Sequence, residues 1–347
     1  MATSKNGKSF AEIMSELQGK KYRPVYFLTG DEPYYIDKIS DYIEHHVLRD
    51  DEKVFNQSVL YGREVNVRDI ITDARRFPLN SDRMVIIIKE AQNVKNLNEL
   101  EQYVKSPQAS TLLVICHKPK ADKSGERGAR LTALLNAVEK AGGVRFVSNK
   151  LYDNQVPAWV QDYLTSKGIK IDPVASQLLV EHLGNDLNKI AHELDKLITA
   201  LPQGTTTIGT KQVEDNIGIS KDFNRFELTK AISERNVMKC NRIANYFTHN
   251  ASTNPLVLTM STLHQHFVRI LKTHLMAQAS DPELAQALGV NPYFVREYRT
   301  AARSYSLQKT ATVLTLLRDY DLRSKGINNG TADHGELLRE LLFYILH

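Results

Sequence analysis

The residues best placed for chemistry lie where a short apolar strand, PVYFL (residues 24–28), meets the turn TGDEPYYIDK (residues 29–38). In an alternating α/β fold, nucleotide phosphates rest at such a turn, on glycine-rich backbone and a lysine. This turn has one glycine, Gly30, no lysine followed by Ser or Thr, and two carboxylates, Asp31 and Glu32. Both acids suit a helix N-terminus and both repel phosphate. A second apolar strand, TLLVIC (residues 111–116), ends without the acidic residue that would hold magnesium. Gly7-Lys8-Ser9 imitates a phosphate loop, but no strand precedes it and its partner glycine is missing. ATP hydrolysis is therefore not expected. His192 beside Glu193 invites a metal reading, but helix neighbours point apart and a solvated histidine is the expected one, while His264 and His266 project to nearly opposite faces and cannot share a metal. Cys116 in an apolar strand and Cys240 in a helix are the only cysteines, which suggests a reduced compartment and no thiol chemistry. No catalytic residue, cofactor or metal is expected.

The remaining candidates are for docking. In DIITDARRFPLNSDRMVIIIKEAQ (residues 69–92), Ile70, Ile71 and Ala74 keep helical spacing, the pattern breaks at Phe77-Pro78-Leu79, and Arg83 to Ile88 reads as a buried strand. Proline disfavours helix at the residue before it, so Phe77 falls at or past the helix end, where core packing is hard to arrange. An apolar tip of this kind suggests a docking site. On residue types alone, the commoner fate of Phe77 and Leu79 is to fold back onto the sheet as a small satellite cluster. The segment His117 to Arg130 holds Lys118, Lys120, Lys123, Arg127 and Arg130 among Gly, Pro and Ser. It is expected as a mobile surface loop, either merely solvated or touching a phosphate backbone or an acidic partner.

These residues need a scaffold. At 347 residues, with 42% hydrophobic and 24% charged content and a net charge of +5, the chain has material for two or three globular domains. Strands are expected at Pro24–Leu28, Val54–Leu60, Met84–Ile88, Thr111–Cys116 and Val144–Val147. Helices alternate with them: one opening at Pro33 with Ile36, Ile39, Ile43 and Val47, one over Asn66–Arg76, one carrying Leu97, Leu100 and Val104, and one with Leu131, Leu134, Leu135 and Val138. That alternation implies a doubly wound, mostly parallel sheet. From Leu151 onward strand signals almost vanish. Leu183, Leu187, Ile190, Leu194 and Leu197 form one seam, and Met260, Leu263, Phe267, Ile270, Leu271 and Leu275 form a long stripe. Leu314 and Leu317, then Leu337, Leu338, Leu341, Leu342 and Ile345, mark further packed helices. No apolar run approaches the ~18 residues of a membrane span, and the first residues lack the core of a secretory signal, so a cytoplasmic protein is expected.

Here a resemblance becomes specific. The pattern LGNDLNKIAHELDKL resembles the middle domain of the delta-subunit family of bacterial DNA polymerase III, in the clamp-loader group of the AAA+ superfamily. VYFLTGDEPYYIDK resembles that family's first strand and helix, and Phe77-Pro78-Leu79 before RMVIIIKEA falls where the family carries its clamp-contacting tip. FNRFELTKAISERN, LTMSTLHQHFVRILK, LGVNPYFVREYRTAARSYS and LLRDYDLRSKG resemble, in order, its collar domain. The similarity covers nearly all of residues 10 to 345. It implies an AAA+-like α/β domain over 1–150, a small helical lid-like domain over 151–217 and a helical collar over 218–347. It further implies a non-catalytic subunit of the DNA-directed DNA polymerase that binds the beta sliding clamp through Phe77, Pro78 and Leu79. The ATPase (gamma/tau) and delta-prime subunits and primed DNA are its implied partners. The alternative of the same fold, an active AAA+ ATPase of the helicase-loader type, requires the phosphate- and magnesium-binding groups that the first turn and the fourth strand lack.

Overall fold

Five runs of aliphatic and β-branched residues line up as one parallel sheet in the computed structural model. The structure describes residues 8–119, 126–152, 154–202, 204–217, 223–327 and 332–347, with only the backbone of 126–130, 181 and 217. The chain divides into two compact units, Met1–Leu151 and Tyr152–His347.

In the first unit the order is α1 (Phe10–Gln18), β1 (Val25–Gly30), α2 (Pro33–His46), α3 (Asp50–Asn56), β2 (Gln57–Tyr61), α4 (Val67–Ala74) and β3 (Met84–Lys89). Two short 3-10 turns lead to α5 (Glu101–Val104), then come β4 (Thr111–His117), α6 (Glu126–Lys140) and β5 (Val144–Ser148). The strand order is β2-β3-β4-β1-β5, with Tyr26 beside both Val114 and Val144. Side chains alternate along each strand, so the sheet has two apolar faces. Val25, Phe27, Ile86, Ile88, Leu113 and Ile115 share a buried cluster with Ile70 and Ala74 of α4, Tyr103 and Val104 of α5, and Leu134 and Val138 of α6. Helix α2 packs against β1, β3, β4 and β5 and buries Ile36, Ile39 and Ile43. The expected doubly wound sheet is present.

Two segments depart from the expected pattern. Val54 to Asn56 are the last turn of α3 rather than the start of a strand. Asp50, Asp51 and Glu52 occupy its first turn, where carboxylates favour the helix N-terminus, and the Glu52 carboxylate accepts from the Arg49 backbone N–H at 2.9 Å. The segment 117–130 is not a loop throughout: residues 126–130 belong to α6. The one helix breaker there is Gly128, and a single glycine costs only about 1 kcal/mol against alanine, too little to stop a fifteen-residue helix.

The second unit runs α7 (Val156–Thr165), β6 (Lys170–Ile171), α8 (Pro173–Leu183), α9 (Leu187–Ala200), β7 (Thr207–Ile208) and α10 (Thr210–Ile217). It continues with α11 (Arg225–Ser233), α12 (Val237–His249), α13 (Leu256–Leu275), α14 (Asp281–Leu288), α15 (Val295–Ser304), α16 (Leu307–Ser324) and α17 (His334–Leu346). The Leu183 to Leu197 seam is buried throughout, and His192 is exposed as its polar face requires. Helices α11 to α17 share a second core built on Leu263, Phe267, Ile270, Tyr305, Leu317, Leu338 and Leu342. The α13 stripe stops short of expectation, because Leu275 is 72% exposed. Three residues after Ile270 the inward position falls to Thr273, and Leu275 turns away from it.

Candidate functional site

The loop joining α4 to β3 is fixed at its ends and in its middle, yet it presents two apolar side chains to solvent. At its start, the Ala74 carbonyl, buried at the end of α4, accepts from the Tyr103 hydroxyl at 3.2 Å and from Thr111 Oγ1 at 3.0 Å. At its end, the Met84 N–H donates to the Ser110 carbonyl at 2.8 Å. Between them, Asn56 Nδ2 donates to the Leu79 carbonyl at 2.9 Å and the Leu79 N–H donates to Asn56 Oδ1 at 2.7 Å. Asn80 follows with φ of 51°, a left-handed conformation that asparagine tolerates.

On this frame Phe77 is 78% exposed and Leu79 56% exposed, with Pro78 half-buried between them. They do not fold back onto the sheet. The reason lies in the anchors: α4 ends at Ala74 and Asn56 holds Leu79 by its backbone, so neither side chain can reach the cluster that takes Ile70 and Ala74. Sequence reading missed Asn56, which sits inside an expected strand, and with it Val54 and Phe55, 76% and 63% exposed on the same turn. The run of three acids at 50–52 was the available signal for a helix there.

The carboxyl ends of the strands are arranged differently. Glu32, 2% exposed, caps α2 with its own carboxylate, which accepts from the Tyr34 N–H at 3.0 Å. The Glu32 N–H donates to the Ser148 carbonyl at 3.1 Å, and Ser148 Oγ donates to the Glu32 carbonyl at 2.7 Å. Gly30, at φ +135°, lies so close that a Cβ there would stand 1.9 Å from the Ser148 oxygen. The helix N-terminus where a phosphate would rest thus holds a protein carboxylate, under a tight strand-to-loop crossing.

Of the basic candidates, Lys118 is ion-paired with Asp37 of α2. Lys120 and Lys123 lie outside the described residues, and Arg127 and Arg130 occupy the first turns of α6, with only their backbone described. Both cysteines are free and buried, and burial pushes each thiol up to about 12, which removes thiolate chemistry at neutral pH. In the second unit a cavity of about 700 Å³ is lined by Asn154, Gln177, Arg225, His266, Arg269 and Tyr298, among others. Arg269 donates to the Leu288 carbonyl and the Tyr298 hydroxyl, and His266 pairs with Ser233. Among the described residues no cluster of three or more His, Cys, Asp or Glu could hold a metal ion, and no helix is long and apolar enough to cross a membrane.

Residues 26–141 match the family model of the DNA polymerase III delta subunit, and residues 222–344 match the model of that subunit's C-terminal domain. The chain belongs to the DNA polymerase III delta-subunit family. The two matches cover more than two thirds of it, and the first includes strands β2, β3 and β4, nearly all of β1, the Phe77 to Leu79 tip and Asn56, but not β5. The DNA polymerase III subunit delta of Bacillus subtilis is 25% identical over 349 aligned positions, spanning 96% of each chain. Among solved structures, the Bacillus subtilis DNA clamp loader delta protein matches with a TM-score of 0.51 at 23% identity, over 97% of this chain and 99% of that one. This likeness shows a shared fold. The Thermotoga maritima RuvB branch migration motor matches at a TM-score of 0.36 and 12% identity over 84% of each chain, too distant to carry argument.

Proposed function

We propose that this protein is the clamp-contacting subunit of a clamp loader in chromosomal replication. The observation that carries the reading is the Phe77/Leu79 tip, exposed on a loop fastened by hydrogen bonds at Ala74 and Leu79, in a chain of the delta-subunit family. The tip docks in an apolar pocket of the beta sliding clamp. Two apolar anchors of this kind supply about 2–4 kcal/mol. They open the ring, or hold it open, only to the extent that they bind the open form better than the closed one.

The protein itself contributes no catalytic step in this reading. Glu32 at the N-terminus of α2 and the close approach of Gly30 to Ser148 support a turn that takes no nucleotide, and disfavour the helicase-loader alternative. ATP hydrolysis in the gamma/tau subunits then drives release. We further propose that residues 151–217 form a lid-like domain and 218–347 a collar that meets the gamma/tau and delta-prime subunits. Lys118, Lys120, Lys123, Arg127 and Arg130 remain the proposed contact for primed DNA or an acidic partner, reading phosphate rather than base sequence. The location implied is the cytoplasm.

The test is equilibrium binding of the purified protein to the sliding clamp of the same organism, without nucleotide, beside the Phe77→Ala/Leu79→Ala double variant. The reading expects the parent to bind and the folded variant to lose at least about tenfold, roughly 1.4 kcal/mol. Equal binding by the two moves the contact away from the tip. Absence of binding by the parent, together with binding of ATP, transfers the case to the ATPase reading.

A further inference from the structure

Asn56 is the last residue of α3, immediately before β2, and is 1% exposed. Leu79 lies five residues before β3, the parallel neighbour of β2, in which Gln57 stands opposite Val85. The Asn56 carboxamide therefore bridges the amino ends of two adjacent strands. It reads the Leu79 backbone as a paired strand would, accepting from its N–H and donating to its carbonyl, at 2.7 and 2.9 Å. Its second amide hydrogen goes to the Glu52 carbonyl at 3.0 Å, in the preceding turn of the same helix. Two carbonyls and one N–H fix which end of the amide is oxygen and which nitrogen. Every amide hydrogen of Asn56 is used.

No side-chain hydrogen bond of this kind holds Phe77 or Pro78 among the described contacts, so Leu79 is the fixed point of the exposed tip. We propose that Asn56 is a positioning residue for clamp binding: it pre-sets the backbone at Leu79 so that the Leu79 side chain arrives ordered at the partner's pocket. The inference rests on the clamp-docking reading of the tip. A loop that must be ordered during binding loses part of its contact free energy to that ordering, and a loop already ordered does not. Asn56 touches no partner in this account. It acts through Leu79.

Asn56→Ala removes both bonds to Leu79, and Asn56→Asp keeps the acceptor but sets a carboxylate oxygen against the Glu52 and Leu79 carbonyls. Both variants are expected to weaken clamp binding about tenfold while remaining folded. A general structural role would also weaken binding, so the deciding measurement is coupling. In a Leu79→Ala background, Asn56→Ala is expected to cost less than about twofold more, because the side chain it positions is gone. A further loss of about tenfold in that background overturns the inference. In the unaltered protein, the Leu79 amide is expected to exchange with solvent deuterium far more slowly than the Phe77 and Asn80 amides, a readout that needs no variant. Equal exchange overturns the inference as well. Binding by Asn56→Ala within about twofold of the parent, while Phe77→Ala/Leu79→Ala fails to bind, overturns the positioning role and leaves the tip reading standing. Parental binding by Phe77→Ala/Leu79→Ala overturns both.

Discussion

His266 lies on the inward face of α13, 3% exposed, between the Phe267 and Tyr298 rings. Ser233 Oγ stands 2.9 Å from the Thr229 carbonyl and 2.9 Å from His266 Nε2. A hydroxyl has one hydrogen, and the carbonyl can only accept it, so the serine oxygen accepts from an Nε2–H, which in the neutral ring fixes the Nε2–H tautomer. Burial, with a smaller contribution from the Arg269 charge, lowers the His266 pKa from 6.5 to about 3. Above pH 6.5 the ring is neutral in both folded and unfolded chains and makes no difference to stability. Between 6.5 and 3 the unfolded chain takes up a proton that the folded one refuses, so stability falls with falling pH by about 1.4 kcal/mol per unit. From pH 7 to pH 4.5 this histidine alone accounts for roughly 2–3 kcal/mol.

The perturbation is His266→Gln, which can still donate to Ser233 and does not titrate. Any packing cost of the substitution is the same at both pH values and cancels in the comparison. Denaturant unfolding is followed by Trp159, the only tryptophan, which lies in the same compact unit as His266. The parent is expected to lose about 2–3 kcal/mol more than the variant between pH 7 and 4.5. Equal losses refute the assignment of a buried neutral ring, as does a His266 ring resonance that titrates near 6.5 in the folded protein.

Gly30→Ala is expected to destabilise the first unit by about 2–4 kcal/mol, because the new Cβ meets the Ser148 oxygen in a backbone conformation that alanine avoids. A loss under about 0.5 kcal/mol in denaturant unfolding would show that the β1 and β5 ends move apart easily. Tyr103→Phe and Thr111→Val should each cost about 1 kcal/mol, and together more than the sum, since the fully buried Ala74 carbonyl then loses both donors. Strict additivity in that double-mutant cycle would mean water replaces them.

The sheet was legible because β1, β3 and β4 are short, continuous apolar runs, and buried parallel strands have no other sequence signature. The helix seams were legible for the same reason, read at period 3.6. Val54 and Phe55 misled because β-branched and aromatic residues favour strands, while the helix they belong to is specified by charges at its other end. The exposure of Phe77 and Leu79 could be suggested from Pro78 but not decided. It depends on Asn56, 23 residues before Leu79, and on Tyr103 and Thr111, 29 and 37 residues after Ala74. Hydrogen bonds across such separations leave no periodicity in the sequence.

The two ends of the sheet make independent demands. Glu32 and Ser148 close the carboxyl end of β1 and β5, whereas Asn56, Ser110 and Ala74 hold the loop at the amino ends of β2 and β3, and no residue serves both. For the clamp docking proposed above, a tip built this way suits a contact that must be made and released. A dissociation constant of 1 μM corresponds to about 8 kcal/mol, and two apolar anchors supply only about 2–4. Ordering a free loop costs about 1–2 kcal/mol per residue, so fixing Phe77 to Leu79 on arrival would cancel the gain from both anchors. The hydrogen bonds at Ala74, Leu79 and Met84 are already formed in the protein alone, which in the docking proposed above leaves most of the anchor energy available for binding.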